Sequence, residues 1–359
     1  LSAPLANLLA VPWISLVVLP LALLGTLLLP LAGFGGLLLW LAGAALAGLF
    51  DVLTVVAQWQ PAWIARQLPL LAWLLVLSGA LIVLLPRGVP MRGLGALMLL
   101  ALWVPGKSLP QGQVEVLQLD VGQGLAILLR TRNHSLLYDA GPARGESDLG
   151  ESVVLPTLRK LGVDQLDVLL ISHAHADHAG GAAAVQRGLS VERVVVGESE
   201  QAFQAQSCET GQGWQWDGVD FSLWHWPQGR SSNDRSCVLL VEAQGERLLL
   251  AGDIEASAER AWLAAHEGKR IDWLQSPHHG SRSSSTEAFI AATRPRGVLI
   301  SRGAHNGFGH PHAQVLERYQ RHGLAIHDTA IEGALSLRLG AQSQVAGQRA
   351  QRRFWRDKE

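Results

Sequence analysis

Residues 1–105 are almost continuous apolar sequence, whereas the remainder is broken into short apolar runs separated by polar turns. Run length alone therefore predicts two solvents, lipid for the first part and water for the second. A spanning helix needs about 20 apolar residues. Leu8 to Leu29 meets that length, with Pro12 and Pro20 inside it, which a helix bundle tolerates when neighbours satisfy the freed carbonyls. Leu31 to Ala57 predicts a second span, rich in the Gly and Ala that suit close helix packing. Leu68 to Leu85 predicts a third, and Leu94 to Trp103 a shorter interfacial or tilted segment.

After Pro105-Gly106-Lys107 the apolar runs shorten to strand length. Strands are predicted at Val114–Leu119, Leu125–Leu129, Ser135–Tyr138, Leu166–Ile171, Val194–Val196, Val238–Val241, Arg247–Ala251, Trp273–Ser276 and Val298–Ser301, with helices at Val153–Leu161 and Gln314–Arg321. Strands arrive both as hairpins and separated by helices, which predicts a sheet-rich α/β domain with helices outside. The divisions expected are 1–105 for transmembrane helices, 106–341 for the soluble domain and 342–359 for a basic, disordered tail.

Composition sharpens this division. Asp51, Arg66, Arg87 and Arg92 are the only charged residues before 106, so the remainder carries 26 of the 29 basic and 29 of the 30 acidic residues. That part has no broad basic footprint of the kind nucleic-acid binders show. Arg66 lies in one loop and Arg87 with Arg92 in the next, so the positive-inside rule favours the second loop as cytoplasmic by one charge. Asp51, near the end of an apolar stretch, reads as interfacial. The chain begins at Leu1 inside an apolar stretch too long for a signal peptide, and it reads as a piece of a longer membrane protein. Two cysteines, Cys208 and Cys237, make no disulfide framework, although one bridge is possible. Cys237, in the apolar run Cys237–Leu240, is expected to be a buried free thiol.

The chemistry concentrates after the strand Val168-Leu169-Leu170-Ile171. There Ser172-His173-Ala174-His175-Ala176-Asp177-His178-Ala179-Gly180-Gly181 places three imidazoles and a carboxylate within six residues. His173 and His175 alternate along extended backbone and so share a side, while Asp177 and His178 turn to a second point. These donors suit divalent ions such as Zn²⁺ and Mn²⁺. Asp253, after Gly252 at the end of an apolar strand, is placed to bridge two ions. Ser276-Pro277-His278-His279-Gly280-Ser281 follows another strand. One of its imidazoles is expected to complete a metal shell and the other to meet substrate, but spacing does not say which. In His305-Asn306-Gly307-Phe308-Gly309-His310-Pro311-His312, His310 is the candidate contact to a phosphate or leaving group. His134, His225, His266, His305, His312, His322 and His327 read as packed or surface residues.

Together these features resemble the metallo-β-lactamase superfamily and, more closely, the C-terminal part of the ComEC family of competence proteins. The resemblance rests on Asp120-Val121-Gly122-Gln123-Gly124, the HxHxDH loop, Asn233 with Ser236, Gly252-Asp253-Ile254-Glu255, His278-His279-Gly280-Ser281 and Gly309-His310-Pro311. Asn7-Leu8-Leu9-Ala10-Val11-Pro12 resembles the end of that family's membrane region. It implies an αββα sandwich with a metal site at one edge. It also implies a multi-pass inner-membrane protein that moves DNA inward as a single strand alongside other competence-machinery proteins, with a soluble domain on the outer, periplasmic face that degrades the other strand. One departure stands out: the superfamily usually supplies a further His where this chain has Asn233 or its neighbour. An amide is a poor zinc ligand, and oxygen donors suit harder ions such as Mn²⁺.

The reading expected is therefore a metal-dependent nuclease or phosphodiesterase with two divalent ions, Mn²⁺ or Zn²⁺. Metal ligands are drawn from His173, His175, Asp177, His178, Asp253 and His278; Asp177, His279, His310 and Asp120 are assigned to catalysis, Asp120 as an acceptor that orients the histidines. Asn233, Ser281 and Asn306 are assigned to substrate. Two alternatives stay open, a membrane-tethered hydrolase of another phosphodiester or a lactone, and a catalytically weak domain that gates a pore.

Overall fold

The computed structural model describes residues 2–31, 33–58, 70–86, 91–103, 108–144, 147–198 and 205–350. The chain forms two compact units, Leu1–Ala65 and Arg66–Glu359. In the first, Ser2–Trp13 runs through a π-helical turn, Ile14–Val18, into Leu19–Leu27, and a second helix spans Phe34–Gln58. Within these, Ala6–Leu27 and Phe34–Val56 are long and apolar enough to cross a membrane. They meet through small residues: a Cβ on Gly35 would lie 2.7 Å from the carbonyl oxygen of Gly25. The third apolar segment forms a helix at Leu70–Leu84, and residues 59–69 before it lie outside the described residues. Pro86 follows and disfavours helix in the residue before it. It pairs with Arg92–Met98, where Gly79 and Gly95 allow similar close approach. Arg66 and Arg87, on which the orientation reading rests, lie outside the described residues.

The rest of the second unit is built from β1 (Val114–Gln118), β2 (Ile127–Arg130), β3 (Ser135–Tyr138), β4 (Ala143–Arg144), β5 (Ser147–Asp148), β6 (Gln165–Ile171), β7 (Ser190–Val196), β8 (Gln206–Ser207), β9 (Gly213–Trp216), β10 (Val219–Trp224), β11 (Val238–Ala243), β12 (Glu246–Leu250), β13 (Trp273–Gln275), β14 (Gly297–Ile300), β15 (Ala325–Asp328), β16 (Leu335–Leu339) and β17 (Val345–Gly347). One sheet has the order β17-β16-β1-β2-β3-β6-β7-β8 and the other β15-β14-β13-β12-β11-β10-β9. β3, β6, β7 and β8 are parallel, as are β12 to β15, and the remaining pairings in the two sheets are antiparallel.

The apolar runs are continuous because these strands are covered on both faces. In β6, Val168 and Leu170 enter the core between the sheets, whereas Leu169 and Ile171 pack beneath outer helices with Leu158 and Val185. β12 divides likewise: Leu248 and Leu250 face the other sheet, and Leu249 packs with Trp262 and Phe289 of the helices Ala256–Ala265 and Glu287–Thr293. The result is an αββα sandwich. Carboxyl ends of β3, β6, β12, β13 and β14 converge at one edge, where α/β folds place their ligands.

Two expectations are corrected here. Cys237 is not a free thiol: it forms a disulfide with Cys208, at a Cα–Cα distance of 5.9 Å. The two-residue strand β8 brings Cys208 alongside β11, a pairing no periodicity announces. The ordered domain also extends past 341, because Val345–Gly347 pairs with β16 and Arg349 bonds Asp120. Residues 351–359 of the expected tail lie outside the described residues.

Candidate metal centre

β6 delivers the HxHxDH loop. Ser172 and His173 leave the strand buried, and the short helix Ala176–Ala179 turns Asp177 and His178 back toward the sheet edge. The paired glycines that follow are steric requirements: a Cβ on Gly181 would lie 2.2 Å from the carbonyl oxygen of Ala140. The Asp120–Gly124 loop has a similar packing role. A Cβ on Gly124 would lie 2.4 Å from the carbonyl oxygen of Asp177, and Leu125 N–H donates to that oxygen at 3.0 Å.

Asp253 is the centre of the arrangement. Its Oδ1 lies 3.2 Å from His178 Nε2. Its Oδ2 lies 4.0, 3.8 and 3.9 Å from the Nε2 atoms of His173, His278 and His279. Asp177 Oδ2 is 3.4 Å from His279 Nε2 and 4.0 Å from His178 Nε2. One ligand atom from each of Asp177, His178, Asp253 and His279 falls within 4.8 Å of all the others. The His175 ring sits edge-on to that of His173, 4.6 Å between centroids.

Among the described residues, ten side-chain polar atoms are buried without a hydrogen-bond partner, and six of them are His173 Nε2, His178 Nε2, His279 Nε2, Asp253 Oδ1, Asn233 Oδ1 and His310 Nδ1. Buried polar atoms are rarely left unpaired, and these six cluster at one edge of one domain. Lone pairs of imidazole and carboxylate converging without donors are what a divalent cation satisfies. The residues present therefore fit a metal centre. Electrostatics agree. Burial opposes a charged His178, yet Asp253 and Asp139 outweigh it and hold that imidazole well above its usual range. Burial alone would push Asp253 up, but His178 and His279 hold it well below the usual carboxylate range.

The acceptor that orients the histidines is Asp139, not Asp120. Asp139 Oδ2 lies 2.7 Å from His178 Nδ1, and the same carboxylate accepts from Ser172 N–H and Oγ–H at 2.7 and 2.8 Å. Asp120 instead pairs with Arg349 at 2.8 Å, on the surface. Asp139 carries a signal that sequence reading passed over, an Asp closing an apolar strand with Gly nearby, the same signal as Gly252-Asp253. Asn306 is committed to the protein: its amide donates to the carbonyls of Gly303 and His310 at 3.0 and 2.7 Å and accepts from His310 N–H at 2.9 Å. It holds the His310 loop and has no polar atom free for substrate. The His310 ring lies 5.6 Å from that of His278. Burial, with His278 and His279 beside it, pushes His310 down to about 4, so it is neutral at physiological pH. Ser281 bonds Ser283, and it is Ser283 that reaches the site, donating to Glu255 at 2.8 Å. Asn233 Nδ2 lies 3.5 Å from Glu255 Oε1 and 3.4 Å from His278 Nδ1. His312, away from the cluster, caps the helix Ala313–Arg321 by accepting from Gln314 N–H.

Residues 119–305, more than half of the chain, match the family model described as the metallo-beta-lactamase superfamily. The chain belongs to the metallo-beta-lactamase superfamily. Within it, residues 1–90 match a second model, the competence protein family, so this metallo-beta-lactamase domain follows a competence-type membrane region. Competence protein ComA of Neisseria gonorrhoeae is 34% identical over 100% of this chain and 51% of its own length. Recombination protein 2 of Haemophilus influenzae is 34% identical over 69% of this chain and 31% of its own. The chain thus spans about half the length, or less, of these relatives. Among solved structures, the metallo-beta-lactamase fold protein YhfI from Bacillus subtilis is 11% identical, with a TM-score of 0.42, covering 63% of this chain and 99% of that one. Superfamily membership and the ligand cluster make the domain a metal-dependent hydrolase in the general sense, joined to helices suited to a membrane.

Proposed function

We propose that this chain is the C-terminal part of a DNA-internalising protein. In this reading its soluble domain is a metal-dependent phosphodiesterase that degrades the strand not transported. The observation that carries the reading is the cluster of Asp177 with the buried His178, Asp253 and His279, whose imidazole Nε2 atoms and Asp253 Oδ1 lack hydrogen-bond partners, in a domain joined to a competence-type membrane region. A phosphodiester backbone suits such a centre, since divalent ions neutralise phosphate charge and lower the pKa of water near phosphorus.

His173 and His175 would hold a first ion and Asp177, His178 and His279 a second, with Asp253 available to both. Asp139 fixes the His178 tautomer by accepting from Nδ1, which directs Nε2 at the ion. His310, neutral and held by Asn306, presents an imidazole to the phosphate or the leaving oxygen. The candidate ions are Mn²⁺ and Zn²⁺, both of which imidazole and carboxylate donors suit. The Cys208–Cys237 disulfide supports placing the domain outside the cytoplasmic membrane, because disulfides persist in oxidising compartments. Tethering beside a membrane channel that passes single-stranded DNA supplies local concentration that the weakly acidic surface does not. Other competence-machinery proteins are the partners this role requires.

The test uses the full chain in detergent on end-labelled DNA with Mn²⁺ or Zn²⁺, then with EDTA. Metal-dependent cleavage that disappears in Asp177→Ala supports the reading. A folded, metal-loaded chain that leaves DNA intact refutes it. The acidic balance of the soluble part favours one second reading, a smaller phosphodiester substrate. A panel of dinucleotides and cell-wall phosphodiesters separates the two.

A further inference from the structure

We infer that His278 is a metal ligand at the first position and takes the place of the histidine that Asn233 replaces. The inference rests on the metal-hydrolase reading and adds a residue to it. The two imidazoles of the Pro277–Gly280 turn are successive in sequence, yet both face one carboxylate oxygen. Their Nε2 atoms lie 3.8 and 3.9 Å from Asp253 Oδ2. Regular backbone does not allow this, because successive side chains diverge on both strand and helix. The turn achieves it with left-handed dihedrals at three consecutive residues, φ 50° at His278, 54° at His279 and 81° at Gly280. Non-glycine residues are held in that region only where surrounding structure fixes them, and such strain gathers at functional sites.

The two rings serve different points. His279 Nε2 reaches Asp177 at 3.4 Å and belongs to the second position. His278 contacts neither Asp177 nor His178; its neighbours are Asp253, Glu255, Asn233, Ser283 and the His310 ring. His173 Nε2 approaches the same Asp253 oxygen, at 4.0 Å. His173 and His278 thus approach the same Asp253 oxygen, with the His175 ring beside His173. Three imidazoles and a carboxylate would make a full shell for a first-row ion.

The other side of the His278 ring is also arranged. Its Nδ1 lies 3.3 Å from Glu255 Oε1, and that oxygen also accepts from Ser283 Oγ–H and Asn233 Nδ2. A carboxylate on one imidazole nitrogen fixes the tautomer that turns the other toward a metal. Asn233 is thus a positioning residue: it steadies the Glu255–His278 pair from the place where the superfamily usually has a ligand.

The experiment measures metal binding by the full chain in detergent, with Mn²⁺ as probe. Readouts are bound equivalents after dialysis and the electron paramagnetic resonance spectrum, in which two ions sharing Asp253 are exchange-coupled and a single ion is not. Wild type is expected to bind two equivalents. His278→Ala and His278→Gln each lose one, or bind it at least tenfold more weakly, and lose the coupling; His279→Ala loses the other. Asn233→Ala keeps both, with the ion at His278 held more weakly, and adding Asn233→His to His278→Ala restores the second. Two equivalents of unchanged affinity in both His278 variants overturn the assignment, as does loss of an equivalent in Asn233→Ala with His278 intact. A wild type that binds a single ion also overturns it. A wild type that binds none refutes the metal-hydrolase reading itself.

Discussion

The Nδ1 atom of His178 lies 2.7 Å from Oδ2 of Asp139, and both side chains are fully buried. That contact joins the end of β3 to the metal loop after β6, and Ser172 adds two more bonds to the same carboxylate. Asp139→Asn keeps the volume but converts an acceptor-only group into one that presents an N–H to part of this network. Loss of such an outer partner typically weakens metal binding about 10–100-fold. Calorimetric titration of the full chain with Mn²⁺ is expected to show that drop. An unchanged affinity refutes the orienting role of Asp139.

Asp120 gives the opposite expectation. Its carboxylate pairs with Arg349 where both side chains are partly exposed, 30% and 45%. Exposed pairs contribute about 0–1 kcal/mol. Asp120→Ala is expected to leave the Mn²⁺ affinity unchanged and to move the melting temperature by no more than about 4 °C. A loss of metal binding in this variant would place Asp120 back among the orienting groups.

Much of this site was legible because its groups follow apolar strands in tight sequence clusters. His173 to His178 are contiguous, and Asp253 and the His278-His279 pair each close a strand. What was missed needed three dimensions or unread turn chemistry. Asp139 becomes an orienting group only because β3 and β6 are parallel neighbours. The Cys208 partnership depends on a strand two residues long. The hairpin of β9 and β10 was open to reading: Asp217-Gly218, both at positive φ, is a favoured two-residue turn between alternating strands.

The disulfide yields a stability prediction. Cys208 and Cys237 are 29 residues apart, a loop for which the chain-entropy model gives roughly 3–4 kcal/mol. Thiol titration of the unfolded, unreduced chain should find no free thiol. Cys208→Ser, or reduction with dithiothreitol, should lower the melting temperature of the soluble domain by several degrees. Two reactive thiols in protein isolated under non-reducing conditions would contradict the bridge.

Glu259 carries a pH dependence that lies outside the metal ligands. Its buried carboxylate accepts from the backbone N–H groups of Ser285, by a very short bond, and of Thr286 at 2.9 Å. It thereby holds the Ser281–Thr286 stretch that follows the two histidines. Burial raises its pKa to about 6, against these hydrogen bonds and Arg318, which pull it down. The folded state therefore binds this proton more tightly than the unfolded state, where a glutamate titrates near its usual 4.5. The sign follows: its contribution is most favourable below about pH 4.5 and is lost as pH rises through about 6, by roughly 2 kcal/mol in all. Glu259→Gln cannot titrate, and it keeps one acceptor for the two N–H groups, so the readout is the slope of stability against pH and not its absolute value. Thermal melts of wild type between pH 4.5 and 7 should show a downward component that is missing from Glu259→Gln. Equal slopes in the two proteins would mean that Glu259 stays ionised throughout, with the two backbone bonds outweighing its burial.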